Sequence, residues 1–199
     1  MHKAKKQQPK TSKSQSKMGA IRIISGKYRG RKLPVLMAEG LRPTTDRVKE
    51  TLFNWLMPYI NNSHCLDCFA GAGSLGFEAL SRNATHVTLL ELDKSAAKQL
   101  NDNKKLLNAN NIDVINTNTL QYLAAAKDAS FDIVFIDPPF HKGLAEQTCH
   151  LINQGWLKEQ ALIYVEVESK GAPLSLPENW TLLKEKVAGQ VAYRLYQSN

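Results

Sequence analysis

The chain has 199 residues, 43% of them hydrophobic, and a formal net charge of +8. It is long enough to bury one substantial core and short for two independent domains. It contains no apolar run of about 18 residues, as a membrane span needs, and no apolar stretch typical of a secretory signal, so we expect a cytosolic protein with no membrane partner.

The positive charge is concentrated at one end of the chain. Residues 1–49 hold fourteen Lys or Arg against two acidic residues, whereas residues 50–199 hold twelve against sixteen. An excess of this kind is expected where one end of a protein meets a polyanion, although a basic surface can also simply be solvated. We therefore predict a nucleic-acid partner.

The N-terminal region divides into a tail and a hairpin. Residues 1–18 carry six lysines, no acid and few apolar side chains, which predicts a disordered basic tail. Residues 21–35 predict two short strands around Ser25, Gly26 and Gly30, forming a basic hairpin arm that we assign to residues 19–40. Its side chains predicted to contact RNA are Arg22, Lys27, Arg29, Arg31 and Lys32.

Residues 41–199 predict a single α/β domain. Thr44, Thr45 and Asp46 offer N-caps to a first helix with an apolar stripe at Val48, Leu52, Trp55 and Leu56. Strands are then predicted at about 64–69, 86–91, 112–116, 131–137 and 161–167, and helices near 74–82, 94–108, 119–127 and 143–153. This alternation indicates a parallel sheet with helices on both faces.

The chain ends on a different pattern. Residues 180–187 and 191–196 favour strands joined by only three residues, so they must be antiparallel neighbours. The whole pattern predicts the Rossmann-like fold of S-adenosylmethionine (SAM)-dependent methyltransferases, with a mostly parallel seven-stranded sheet, a C-terminal antiparallel hairpin and the N-terminal basic hairpin.

A glycine motif follows the first strand of this domain. Gly71, Gly73 and Gly76 would let the backbone turn tightly and approach a ligand. Glu91 ends the next strand, where its carboxylate can accept hydrogen bonds from ribose hydroxyls. The spacing alone suits either NAD or SAM. Asp67 favours SAM, because a carboxylate there repels a pyrophosphate and suits the cationic groups of SAM. Phe69 belongs to the same loop.

A second motif, Asp137-Pro138-Pro139-Phe140, follows a strongly apolar strand. An exocyclic amine of a base is a poor nucleophile, because its lone pair is delocalised into the ring. The two amine protons would donate hydrogen bonds to the Asp137 carboxylate and to the Pro138 carbonyl. These bonds would aim the nitrogen lone pair at a methyl carbon. Phe140 can stack on a base. The alternative is a purely structural role, in which the prolines only end a buried strand.

Two further features have less specific signals. Asn118 and Leu120 follow the third strand, where many SAM enzymes contact adenine with a side chain and a backbone amide, but an Asn-rich turn explains them as well. Cys65 and Cys68 form a C-x-x-C inside an apolar run, with no second pair nearby, so we predict packed thiols and no metal.

The assembled motifs resemble those of the RsmD family of bacterial small-subunit ribosomal RNA guanine-N2 methyltransferases. The resemblance runs from about residue 21 to residue 196 and is carried by RIISGKYRGRKL at 22–33, LRPTTDRVKETLFNWL at 41–56, LDCFAGAGSLG at 66–76 and DPPF at 137–140. It implies SAM as cofactor, held by the glycine loop and Glu91, and a guanine held by residues 137–140.

The resemblance also implies the substrate: guanine 966 of 16S ribosomal RNA, within an assembled small subunit. Arg42 would join the RNA-binding residues, and we expect a monomer. The alternatives are a DNA adenine-N6 or cytosine-N4 methyltransferase, a dinucleotide-dependent oxidoreductase, and a non-catalytic ribosome-binding protein.

Overall fold

A computed structural model describes residues 18–36, 45–125, 131–140 and 142–199 of the chain. The predicted tail up to residue 17, the candidate cap Thr44 and the RNA-binding candidate Arg42 lie outside the described residues. Met18, which we assigned to the tail, opens the first strand.

Seven strands form one sheet in the order β5-β4-β3-β6-β7-β9-β8. Strands β3 to β7 are parallel, and β9 lies antiparallel between β7 and β8. This confirms the mostly parallel sheet with its C-terminal antiparallel hairpin. The strands are β3 (His64–Asp67), β4 (His86–Glu91), β5 (Ile112–Asn116), β6 (Phe131–Ile136), β7 (Leu157–Glu168), β8 (Trp180–Ala188) and β9 (Val191–Ser198).

Helices cover both faces of this sheet. They are α1 (Asp46–Trp55), α2 (Ser74–Ser81), α3 (Lys94–Leu106), α4 (Thr119–Ala124) and α5 (Leu144–Ile152). The side chains of Thr45, Asp93 and Asn118 cap α1, α3 and α4, so that of the three proposed caps for α1, Thr45 is the one observed. One buried cluster lies between the sheet and α1, α2 and α3, and a second lies between the sheet and α5.

Strands β1 (Met18–Arg22) and β2 (Lys32–Leu36) form the predicted antiparallel hairpin. The hairpin packs on the domain. Ile21, Ile23, Leu33 and Val35 are buried in the same cluster as α1, α2 and α3, and the side-chain amide of Asn103 in α3 donates to the Pro34 carbonyl at 3.0 Å. The hairpin therefore shares the hydrophobic core of the domain.

A buried carboxylate, Glu78 of α2, fixes the hairpin turn. Its two oxygens accept the backbone N–H groups of Ile24 and Ser25 at 2.8 and 3.1 Å, and Arg82 Nε donates to it at 2.8 Å. Lys49 of α1, also buried, lies 3.9 Å from Glu78 and donates to the Arg22 carbonyl at 2.5 Å. Burial lowers the pKa of Lys49, while Glu78 opposes that shift. This charge network joins the hairpin, α1 and α2.

Among the described residues, none of the helices is both long and apolar enough to traverse a bilayer.

If the hairpin belongs to the core, shortening one of its buried side chains must destabilise the whole chain. We expect Leu33→Ala to lower the free energy of unfolding by about 2 to 5 kcal/mol, because Leu33 is fully buried and a cavity would remain. Urea unfolding measures the change. The matched control is Lys32→Ala at the exposed neighbouring position, and equal effects of the two substitutions would contradict the shared core.

Candidate active site

The candidate site lies where the chain reverses its direction of travel across the sheet. From β3 the chain adds β4 and β5 on one side and then β6 and β7 on the other. In such parallel sheets, ligands bind in the crevice beyond the carboxyl ends of the strands at this reversal. Asp67, Glu91 and Asp137 stand at the carboxyl ends of the three adjacent strands β3, β4 and β6, so the sheet gathers the predicted motifs at one edge.

The loop after β3 depends on its glycines. Gly71 and Gly73 have φ values of 50° and 77°, in the left-handed region that glycine enters without strain. A Cβ on Gly73 would lie 2.6 Å from Leu100, and one on Gly76 would lie 2.2 Å from Leu89. Gly73 therefore allows the turn into α2, and Gly76 allows α2 to lie close to β4.

Glu91 braces the glycine loop from the end of β4. Its Oε2 accepts from the Gly71 backbone N–H at 2.7 Å, and its Oε1 accepts from the Asp93 N–H at 2.8 Å. A carboxylate offers about four acceptor positions, so this half-buried group keeps capacity for two hydroxyl donors. The geometry is compatible with the predicted ribose contact.

Asp67 is almost fully buried beneath the loop, with 2% of its surface exposed. It accepts the Gly76 backbone N–H at 3.2 Å and also that of Phe69. Burial raises the pKa of Asp67 to about 7, and the negative charge of Glu91 adds to this, while the two hydrogen bonds oppose it. Asp67 thus holds the loop together, and its contact with a cofactor cation stays a prediction.

The loop after β5 joins the same edge. Asn116 Nδ2 and Thr117 N both donate to the Glu91 carbonyl, at 2.8 and 3.0 Å. Asn118 Oδ1 accepts from Gln121 N at 3.1 Å as the cap of α4, which is a plain turn role. The Thr119 hydroxyl donates to the Cys68 carbonyl, a link between the two loops that the sequence did not indicate. Phe69 and Leu120 are half-buried here.

The motif Asp137-Pro138-Pro139-Phe140 follows β6 directly beside the glycine loop. The Cys68 N–H donates to the Phe135 carbonyl at 3.0 Å and so fastens the start of the loop to the end of β6. Pro138 is buried, Pro139 is exposed, and Asp137 and Phe140 are half-buried. The structure therefore brings the two predicted motifs together at neighbouring strand ends.

The thiols of the C-x-x-C lie in different parts of the core. Cys65 belongs to the cluster under α1, α2 and α3, and Cys68 to the cluster under α5. Burial raises the pKa of Cys65 to about 12 and that of Cys68 well above its ordinary value. Within the described part of the chain, no three His, Cys, Asp or Glu side chains form a group that could hold a metal ion.

The five basic hairpin residues that the structure describes are all exposed. The hairpin turn rests on the far end of α2, where Lys27 N donates to the Ser81 carbonyl at 2.7 Å. Because α2 has eight residues, this turn is about 12 Å from the glycine loop. Arg31 Nη2 also donates to the Leu106 carbonyl at 3.0 Å and so anchors the hairpin on α3. The RNA contacts of the basic hairpin residues stay predictions.

Comparison with known proteins agrees with this architecture. A family model described as "Conserved hypothetical protein 95" matches residues 21–197. The protein named ribosomal RNA small subunit methyltransferase D in Haemophilus influenzae is 61% identical over 184 residues, covering 90% of this chain and 95% of its own length. The chain belongs to the RsmD family.

Solved structures show the same fold for this RsmD-family chain. The structure of yhhF from Escherichia coli has a TM-score of 0.83 and 53% identity, and the match covers 90% of this chain and 98% of that one. The Thermus thermophilus 16S rRNA N2 G1207 methyltransferase RsmC, solved with AdoMet and guanosine, has a TM-score of 0.66 and 18% identity over 92% of this chain and 50% of its own. The fold is that of the SAM-dependent methyltransferases.

The buried Asp67 gives the chain a measurable pH dependence. The folded chain keeps the Asp67 proton up to about pH 7, whereas the unfolded chain loses it near the ordinary pKa of 3.8. Rising pH between these values therefore favours the unfolded chain. Asp67→Asn carries no titrating proton at this position. We expect the free energy of unfolding of Asp67→Asn minus that of wild type to rise by about 1 kcal/mol per pH unit between roughly pH 4 and pH 7.

Urea unfolding of both proteins across this pH range measures the difference. Taking the difference between the two proteins removes the contribution of the other titrating groups. A stability difference that does not change with pH would contradict the raised pKa of Asp67.

Proposed function

We propose that this chain transfers a methyl group from SAM to the exocyclic N2 amine of a guanine in 16S ribosomal RNA, guanine 966 by its resemblance to the RsmD family. The observation that supports this most directly is the position of Asp137-Pro138-Pro139-Phe140, beside the glycine loop at the carboxyl edge of the sheet. An acceptor motif for an amine and a loop for the cofactor meet there.

The residues present fit SAM. Gly71 and Gly73 turn the backbone sharply at the strand ends, where no side chain separates it from a ligand, and Glu91 keeps acceptor capacity for ribose hydroxyls. Asp67 contributes a second negative charge near the loop when it is ionised. Bound SAM would supply an electrophilic methyl carbon for transfer from its sulfur to N2, and the nitrogen would release a proton.

The chain's own residues prepare the nucleophile. The Asp137 carboxylate and the Pro138 carbonyl each accept one amine hydrogen, which directs the nitrogen lone pair toward the methyl carbon. Proline fixes φ and has no N–H, so the carbonyls of this turn are held in place. The Asp137 carboxylate, which already holds one amine hydrogen, accepts the released proton. Phe140 stacks on the guanine and holds it at the mouth of the crevice.

The RNA contacts extend beyond this crevice. The hairpin turn rests on the far end of α2 and its basic residues are exposed, so they bind phosphates of RNA that surrounds the target. We propose that the substrate is the assembled small subunit and that the chain acts as a monomer in the cytoplasm. The names of its relatives support a ribosomal RNA substrate over a DNA one.

Removal of the Asp137 carboxylate tests the chemistry. We expect Asp137→Ala to lower the rate of methyl transfer by about a hundredfold or more, since an orienting charged hydrogen bond contributes roughly 3 kcal/mol in the transition state. SAM affinity, measured by calorimetry, should stay nearly unchanged. Glu159→Ala, which removes a carboxylate at an exposed position near the start of β7, is the matched control. Activity of Asp137→Ala within threefold of wild type would refute the role.

Neutralisation of the hairpin turn tests the RNA contacts without removing core residues. We expect Lys27→Gln with Arg29→Gln to weaken binding to small subunits and to flatten the dependence of log affinity on log salt by about 0.7 to 0.9 for each phosphate that is no longer neutralised. SAM affinity should not change. Fluorescence titrations at several salt concentrations measure the slope.

The control carries the same change of charge elsewhere on the surface. Lys184→Gln with Lys186→Gln alters exposed positions on β8. This is the edge strand of the sheet, and β6, β7 and β9 separate it from β3. An equal change of slope in both double variants would show that net charge alone matters. No change in the hairpin variant would remove the hairpin from the interface.

A further inference from the structure

Thr119, the first residue of α4, contacts a second loop of the candidate site. Its hydroxyl donates to the Cys68 carbonyl, directly after the end of β3. Thr119 is 7% exposed, so this bond is shielded from water. A single side chain therefore joins the loop after β5 to the glycine loop after β3.

The preceding residue explains why the Thr119 hydroxyl is available for this contact. At the start of a helix, a polar side chain commonly satisfies a free backbone N–H of that helix. In α4 the Asn118 side chain has this task, since its Oδ1 accepts from Gln121 N at 3.1 Å. The two adjacent polar residues thus have separate tasks: Asn118 caps α4, and Thr119 fastens α4 to the glycine loop.

Both loops are also tied to the end of β4. The Gly71 N–H donates to Glu91 Oε2 at 2.7 Å, and the Thr117 N–H donates to the Glu91 carbonyl at 3.0 Å. Among the described residues, the Thr119 bond is the one hydrogen bond that links the two loops without passing through β4. It closes a ring of three links between the two loops and β4. Without it, each loop keeps its bond to Glu91 and the ring is open on one side.

The acceptor of the Thr119 bond is a peptide that is held from two directions. The Cys68 N–H donates to the Phe135 carbonyl at the end of β6, at 3.0 Å, and the Cys68 carbonyl accepts from Thr119. Cys68 comes shortly before the glycines that turn the chain. The orientation of its backbone therefore determines where the turn begins, and Thr119 helps to set that orientation.

The two loops are the proposed sites for opposite ends of SAM. The glycine loop and Asp67 suit the cationic amino-acid end, and Asn118 and Leu120 are proposed for the adenine end. A ligand held at both ends binds tightly when the two sites already have the right separation, because binding then does not have to move the loops into place. The separation of the loops is thus a quantity on which SAM affinity depends.

We propose that Thr119 is a positioning residue for the cofactor, and that its hydroxyl sets the separation of the glycine loop and the loop after β5. It acts through the Cys68 backbone and needs no contact with SAM. The β-branched side chain suits this task, because its few allowed rotamers keep the hydroxyl in one direction. This assignment rests on the proposed function, since it takes the two loops as the two ends of the SAM site.

The test compares a ligand that spans both loops with one that does not. Methylthioadenosine contains the adenosine half of SAM and lacks the amino-acid half. Calorimetry measures the dissociation constants of both ligands for wild type and for Thr119→Val, which keeps the shape of the side chain and removes the hydroxyl. We expect the variant to bind SAM roughly tenfold more weakly, because a buried hydrogen bond is lost and its acceptor is left unpaired. Methylthioadenosine should bind within about twofold of its wild-type affinity, since it does not depend on the separation of the loops.

Thr148→Val is the matched control. Thr148 is also buried, lies on α5, and has a hydroxyl without a hydrogen-bond partner among the described residues. The same substitution there should leave both affinities at the wild-type values. Thr119→Ser restores a hydroxyl and should return SAM affinity to within about threefold of wild type.

The melting temperature shows whether Thr119→Val is folded. If it is not, Thr119→Ala replaces it, because the smaller side chain removes the bond without placing a methyl group against the Cys68 carbonyl. The same difference between the two ligands is expected of Thr119→Ala.

The outcomes separate this inference from the proposed function. An unchanged SAM affinity in the folded variant would overturn the positioning role. So would an equal loss of affinity for both ligands, which is the behaviour of a residue that acts within the loop after β5 alone. Failure of both variants to fold would assign Thr119 to stability and overturn the role as well. If the wild-type chain does not bind SAM, the proposed function fails and this inference fails with it.

Discussion

The reversal of chain direction at β3 is the constraint on which the site depends. Because β4 and β6 flank β3 in parallel register, three strand ends meet at one edge and each delivers a carboxylate: Asp67, Glu91 and Asp137. None of these residues is near the others in sequence. The sheet brings them together. The Cys68 N–H donates to the Phe135 carbonyl and the Gly71 N–H donates to the Glu91 carboxylate, and these bonds hold the glycine loop to its two neighbouring strands.

A buried network couples this site to the basic surface. Glu78 binds the backbone of the hairpin turn, and it lies on α2, which begins at the end of the glycine loop. Lys49 adds α1 to the same network. Buried charges with several hydrogen bonds define one arrangement, because removing any partner would be costly. The proposed RNA surface and the proposed cofactor loop are thus held by one packed unit.

Much of the sheet was predictable because its strands are short apolar runs separated by helical stretches. The start of β7 was not. The sequence predicted a strand from about residue 161, whereas β7 begins at Leu157. The prediction missed the first residues because residues 158–160 are polar and because Gln160 has a left-handed φ of 58°. An irregularity in the pairing with β6 accommodates this stretch, and a local pattern of apolar residues does not reveal it.

The site was predictable where chemistry follows a motif and unpredictable where it depends on neighbours. The two motifs were visible in sequence, but the bond from the Thr119 hydroxyl to the Cys68 carbonyl depends on how the two loops pack in the fold. The hairpin has an alternation of apolar residues at Ile21, Ile23, Leu33 and Val35, which indicates that one face is buried. The prediction rested on the charged residues of the other face and did not include this burial. The burial of Asp67 under its own loop is a further feature that the motif did not indicate, and its contact with the cofactor stays a prediction.

The central claim concerns one base in one RNA, and a single mapping experiment tests it most directly. Small subunits from cells that lack this gene are incubated with the chain and isotopically labelled SAM, and the RNA is then digested and mapped by mass spectrometry. The account predicts label on N2 of a single guanine of 16S ribosomal RNA. Label on another base or another atom, or no label in a preparation that binds SAM, would contradict it.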